Sequence, residues 1–325
     1  MRKHLLPLAA LLAATPALPQ ASANIAAGRA QPSPLAPSEI VAAAPRADWS
    51  AIAPADLLVM DLAPDAKGKP RRVVIQLMPA PFSQGWVGNI RKLAAAKFWD
   101  GTSINRVQDN YVVQWGDANA EDKTRARKLP DGLAAMPESA YAAPAVTPPP
   151  VHDPARGWLN TIEDAYGLTQ FWKGWPVARG GTMAKGVDTN WPVHCYGMVG
   201  VGRDMPPNTG TGAELYAVIG HAPRHLDRNI ALVGRVIEGI EHLSSLPRGS
   251  GALGFYETPE ERTAIVSIRI GSKVSGLPAY EYLSTESETF ARLAEARANR
   301  RDAFFIRPAG GADICNIPVP VRRVK

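Results

Sequence analysis

Cysteine is nearly absent from this chain: 325 residues contain two, Cys195 and Cys315. Two thiols with no paired histidine nearby make a poor zinc site. Charge is also sparing, with 36 Lys and Arg against 30 Asp and Glu for a net +6. No run of five or six like charges occurs, and no basic stripe is interleaved with aromatics, so a nucleic-acid partner is not indicated. Beyond the N-terminus no apolar run approaches the length of a membrane span. Several catalytic signatures are missing as well. His221 and His225 have zincin spacing, but Pro223 lies between them and no Glu follows His221. Gly197, Gly200 and Gly202 run into Arg203-Asp204-Met205-Pro206-Pro207 where a dinucleotide loop needs a helix. Gly249-Ser250-Gly251 is not a nucleophile elbow, and no phosphate-binding loop is present. Without a nucleophile paired to a base, a hydrolase has no support.

What the sequence does contain begins with Arg2-Lys3, a short apolar stretch from Leu5 to Leu18, and Gln20-Ala21-Ser22-Ala23. This is the pattern of a signal peptide cleaved after Ala23. Pro7 and Pro16 interrupt the stretch, which is too short for a bilayer core of about 30 Å. A periplasmic or secreted protein is therefore expected. In an oxidising compartment Cys195 and Cys315 are expected to pair as a disulfide, two buried free thiols being the alternative. With 46% apolar residues the mature chain has enough for a full core.

Residues 24–53 are rich in Ala, Pro and Ser and read as a flexible lead-in. Leu57–Leu62 and Arg72–Leu77 read as a β-hairpin with a longer turn. Apolar residues at Val87, Ile90, Leu93, Ala94 and Phe98 keep helical spacing up to a stop at Asp100-Gly101. Ser103–Gln114 alternates toward strand. An irregular, Pro-rich insertion at about 118–190 reads as surface loop. Met198–Val201, Leu215–Ile219, Ala231–Val236 and Ala264–Ile270 read as strands, and Val236–Leu246 as a second helix stopped by Pro247. Glu288–Phe305 reads as a charged helix packed on one side of the barrel. The fold class is mainly β: a closed antiparallel barrel capped by two helices over 54–282, with a C-terminal helical extension at 283–325.

Arg106 stands out within an otherwise apolar β-type segment, Ile104-Asn105-Arg106-Val107, followed by Tyr111-Val112-Val113-Gln114-Trp115-Gly116-Asp117. With the preceding Phe98-Trp99-Asp100-Gly101-Thr102, this resembles the cyclophilin signature, and His225-Leu226-Asp227 through Gly239 resembles the segment that closes the cyclophilin pocket. The resemblance covers about Leu57 to Ile270, interrupted by the insertion. It implies a prolyl isomerase that needs no cofactor or metal. Its implied partners are Pro-containing peptides, unfolded exported proteins and cyclosporin-like ligands. Carried over residue by residue, it makes Arg106 and Gln114 catalytic. Tyr111, Val112, Tyr216, Leu226 and His225 would line the proline pocket, and Gly202, Arg203 and Glu214 would border the peptide.

Rotation about a peptide bond must overcome a barrier of about 18–20 kcal/mol with no bond cut and no charge created. An apolar seat for the ring and a donor to the twisted prolyl nitrogen are what such a reaction can use. The sequence departs from the family at Gly202-Arg203-Asp204, where Ala-Asn-Ala is usual. It departs also at Glu214 for Gln, Ile230 for His, Trp115 for Gly, Val112 for Met and His225 where Trp is frequent. A catalytically weak module that binds Pro-containing segments is the alternative these departures raise.

Overall fold

A computed structural model of the chain describes residues 34–145, 152–153, 157–158, 161–180 and 188–324. The expected signal peptide, residues 1–23, lies outside them. In chain order, α1 (Pro37–Ala42) and β1 (Trp49–Ile52) precede β2 (Leu57–Leu62), β3 (Arg71–Leu77), α2 (Gln84–Ala95), β4 (Ser103–Val107) and β5 (Val112–Gly116). The insertion carries β6 (Ala143–Pro144), β7 (His152–Asp153), β8 (Gly157–Trp158), β9 (Thr161–Asp164), β10 (Gly167–Trp172), β11 (Trp175–Gly180) and β12 (Thr189–Pro192). Then follow β13 (Met198–Val201), β14 (Leu215–Val218), β15 (Leu232–Glu238), α3 (Glu241–Ser244), β16 (Thr263–Ile270), β17 (Tyr280–Leu283), α4 (Glu288–Ala298) and β18 (Val321–Arg323).

Eight strands close a barrel in the order β13-β14-β5-β4-β16-β2-β3-β15, every pair antiparallel. The β2–β3 hairpin forms where expected, and Asp65 shapes its turn by accepting the Lys67 and Lys69 amides at 2.8 Å. Alternate residues of each strand fill the barrel, among them Met60, Ile75, Val113, Trp115 and Leu215. Helix α2 forms because Trp86, Val87, Ile90, Leu93 and Ala94 share one buried face. Among the described residues no helix is long and apolar enough to cross a membrane.

Four expectations change. The second helix shrinks to α3, because Val236 continues β15 against Ile75 of β3 and Gly239 turns the chain at φ +84°. A Cβ at 239 would lie 2.1 Å from the Arg72 carbonyl oxygen, so only glycine permits this close turn. The lead-in is structured from Pro37 onward: β1 pairs with β17, which pairs with β18, and α1 packs on α4. Helix α4 ends at Ala298 rather than Phe305 and packs on α1 and the insertion, Phe290 meeting Phe171 edge-on with ring centroids 4.9 Å apart. The insertion is not a surface loop. It builds a five-stranded sheet, β6-β12-β11-β10-β9, buried around Phe171, Trp172, Trp175, Val177 and Trp191.

The inserted sheet is fastened to the barrel by Arg235 of β15. Its guanidinium is buried, donates through Nε and Nη2 to Gln76 Oε1 and through Nη1 to the Gly174 carbonyl, and lies over the Trp175 ring. Cys195 and Cys315 are joined by a disulfide that ties the C-terminal extension to the segment after β12.

Candidate functional site

Strict alternation from Ile104 would aim Arg106 into the barrel. Instead the β4–β5 register shifts between Ile104 and Arg106, so that Ile104 and Val107 both point inward and Arg106 stands on the outer face. This is the re-aiming of a side chain that a β-bulge provides. Arg106 is cross-strand partner to Gln114 of β5, Gln114 to Tyr216 of β14, and Tyr216 to Gly200 of β13. One rung across four strands therefore brings a guanidinium, an amide and a phenol onto one face.

The guanidinium is held in three places. Nε donates to the Leu253 carbonyl at 2.7 Å, Nη1 to Gln114 Oε1 at 3.0 Å, and Nη2 to Gln108 Oε1. Its plane is further confined by the rings of Phe255 and Tyr111, with centroids 5.2 and 5.7 Å from Cζ. Of the five N–H donors of an arginine, one on each Nη is left for a ligand among the described residues. Burial lowers the Arg106 pKa, Tyr111 and Glu214 opposing the shift, and an arginine stays charged under such conditions.

Beside it lies an apolar cluster separate from the barrel core: Val112, Tyr216 and Val218, with Tyr111 and Ile230 packed on them. His225 is exposed and stacks on Tyr111, the rings 9° from parallel and 6.4 Å apart. Leu226 is partly buried at the end of the one-turn helix Arg224–Leu226, and Ile230 donates its amide to the Leu226 carbonyl at 3.2 Å. The other sequence candidates divide. Glu214 joins the rung by accepting from Gln114 Nε2 at 2.7 Å, and the Gly202 amide donates to the Glu214 carbonyl at 2.9 Å. Arg203 donates to the Asn229 carbonyl at 3.0 Å and to the Asp204 carbonyl at 2.8 Å. Among the described residues no group of three or more His, Cys, Asp or Glu is placed to hold a metal.

Sequence reasoning missed Gln108, Leu253, Phe255 and His194. Phe255 forms an isolated bridge with Arg106 from 149 positions along the chain, and no local pattern marks it. Its loop can lie flush on β4 because Gly254 carries no side chain, a Cβ there coming within 2.7 Å of the Val107 carbonyl oxygen. It can fold on itself because Gly249 carries none, a Cβ there lying 2.0 Å from the Gly254 carbonyl oxygen.

Burial raises the Glu214 pKa above the ordinary glutamate value, reinforced by Glu121 and opposed by Gln114 and Arg106. The folded state thus holds its proton to higher pH than the unfolded chain does. The stability this lends is full below about pH 4 and is lost as pH rises through the folded pKa. Glu214→Gln keeps an acceptor for Gln114 and removes the titration. Thermal unfolding should show the variant more stable than wild type by about 1 kcal/mol at pH 8, an advantage that vanishes at about pH 4. Equal midpoints at both pH values would contradict this.

The rung and cluster can be set beside known proteins. The family model described as cyclophilin type peptidyl-prolyl cis-trans isomerase/CLD matches residues 68–270. Among solved structures, the cyclophilin AquaCyp293 from Hirschia baltica is similar in fold, with a TM-score of 0.61 and 22% identity, covering 85% of this chain and 94% of its own. A cyclophilin type peptidyl-prolyl cis-trans isomerase from Cryptosporidium parvum, crystallised in the presence of the dipeptide Ala-Pro, matches at a TM-score of 0.36 and 10% identity over 65% of this chain and 98% of its own. No curated protein matches the chain. The 68–270 match takes in β4, β5, β13, β14 and β15, the strands of the Arg106 face and of its closure against β3. A closed eight-stranded barrel carrying that match makes this chain a member of the cyclophilin type peptidyl-prolyl cis-trans isomerase family.

Proposed function

We propose that this chain isomerises X-Pro bonds of exported proteins, with Arg106 stabilising the twisted amide beside a proline seat formed by Tyr111, Val112 and Tyr216. The observation that carries the reading is the clamped guanidinium at the rim of a separate apolar cluster. A planar prolyl amide has its nitrogen lone pair in conjugation and offers it to no donor. At the twisted transition state the lone pair is localised and accepts, so an N–H aimed at that nitrogen favours the transition state over either planar isomer. The cluster holds the ring out of water, where the same hydrogen bond is stronger. Gln114 supplies the acceptor that keeps Nη1 in place, and Glu214 in turn keeps Gln114 from flipping its amide.

Export is supported by the signal-type segment at residues 1–23 and by the Cys195–Cys315 disulfide, which suits an oxidising compartment. Clients would then be extended, Pro-containing stretches of newly exported chains. The test is the refolding of a secreted protein whose slow phase is set by prolyl isomerisation, a matter of tens to hundreds of seconds at 25 °C. Substoichiometric amounts of this protein should shorten that phase severalfold. An unchanged slow phase, with binding of a Pro-containing peptide intact, would instead identify a binding module.

A further inference from the structure

The phenol of Tyr216 is buried at the floor of the proline seat, where a hydroxyl without a hydrogen-bond partner is destabilising. Its partner is His194, whose Nε2 lies 2.9 Å from Tyr216 Oη. His194 follows β12 and is itself fully buried. Asp227 Oδ1 receives both its backbone amide, at 3.0 Å, and its Nδ1, at 2.8 Å. A carboxylate only accepts, so Nδ1 carries the proton and Nε2 is bare to accept from the phenol. Burial favours the same arrangement, holding the imidazole pKa down and the phenol pKa well up. On the opposite side Gly200 leaves the ring its place, since a Cβ there would lie 2.2 Å from Tyr216 Oη.

The chain of contacts does not stop at Asp227. Its Oδ2 accepts from Arg224 Nε at 2.7 Å, and Arg224 Nη1 donates to Asp164 Oδ2 at 2.6 Å. Asp164 ends β9, the edge strand of the inserted sheet, and the four side chains from His194 to Asp164 are between 1% and 13% exposed. Arg224 Nη2 has no hydrogen-bond partner among the described residues, and the guanidinium lies over the Tyr166 ring. Yet each of the four side chains is held by a buried, directed contact to the next, which restricts the arrangements open to them.

We propose that the inserted sheet positions the proline seat: Asp164 fixes Arg224, Arg224 fixes Asp227, Asp227 orients His194, and His194 holds the Tyr216 ring on which the proline ring rests. The inference rests on the proline-seat reading above and assigns these four residues a positioning role, acting through Tyr216. A displaced Tyr216 ring weakens the hold on planar and twisted amide alike. Its signature is therefore a raised KM with kcat little changed.

The test is a kinetic series on an Ala-Pro-containing tetrapeptide, paired with calorimetric Kd values. His194→Asn keeps an N–H near the Nδ1 position for Asp227 and lacks the acceptor for the phenol. It should raise KM and Kd about tenfold, with kcat within about twofold, because a buried donor has lost its partner. Adding Tyr216→Phe removes the orphaned hydroxyl and should bring both constants back to within about threefold of wild type. Asp164→Asn, at the far end, should raise them about threefold. Unmoved constants in either single variant, or a rise that Tyr216→Phe does not relieve, would overturn the proposal. If His194→Asn fails to fold, 15N spectra of the wild-type imidazole decide: a protonated Nδ1 with bare Nε2 supports the network, and a protonated Nε2 overturns it. Absence of wild-type turnover would count against the enzymatic reading alone, because peptide Kd values and the imidazole spectrum still report on the seat.

Discussion

Arg106→Ala is expected to lower kcat/KM on an X-Pro peptide by about 100- to 1000-fold, the usual loss when one preorganised donor to a transition state is removed. The size follows from the chemistry. Nothing in amide rotation calls for a proton transfer or a nucleophile, so stabilisation of the localised nitrogen lone pair is the main lever, and each 1.36 kcal/mol is a factor of about ten. In this site the donor is fixed in advance by Leu253, Gln108 and Gln114, which removes the ordering cost a free side chain would bear at the moment of reaction. Arg106→Lys keeps the charge but cannot reach three acceptors and the substrate at once, and should recover no more than about a tenth of the wild-type rate. Since Arg106 is only partly buried, far-ultraviolet circular dichroism of both variants should match wild type. A kcat/KM for Arg106→Ala within about threefold of wild type would remove Arg106 from the mechanism.

The second large effect concerns the Cys195–Cys315 bond. It closes a loop across 120 positions, and loop closure of that size restricts the unfolded chain by about 5 kcal/mol. Reduction, or Cys315→Ala, should therefore lower the thermal midpoint by roughly 10 °C. The extension does not simply detach, because Ile314 and Ile317 are buried and β18 still pairs with β17. Scanning calorimetry with and without reductant measures the difference. A shift below about 2 °C would mean that the extension is held by its apolar contacts and strand pairing alone.

The barrel was legible because its strands alternate and its turns carry their own chemistry, as in the Asp65–Gly68 turn between β2 and β3. The rung of Arg106, Gln114 and Tyr216 could be named through the family resemblance. Yet the bulge that turns Arg106 outward leaves no mark in the one-dimensional pattern. Val236–Leu246 misled because its apolar spacing fits a helix while β-branched Val236 is claimed by a strand partner supplied from β3. The inserted sheet was obscured by the surrounding Pro and Ala. Its one clear signal was Trp172-Lys173-Gly174-Trp175, where Lys173 and Gly174 at φ 45° and 81° form the two-residue turn of a hairpin. His194 and Asp227 have no such signal. They meet across 33 positions in a buried network that only the closed fold assembles.

The most direct measurement of the central claim is exchange NMR on an Ala-Pro peptide with wild type and Arg106→Ala side by side. Uncatalysed isomerisation takes tens to hundreds of seconds and gives no cross-peaks between cis and trans signals on a subsecond mixing time. With catalytic wild-type protein, cis–trans cross-peaks should appear, and with folded Arg106→Ala at the same concentration they should be lost. Wild-type protein that binds the peptide and gives no cross-peaks, or a variant that exchanges it as fast as wild type, would contradict the account.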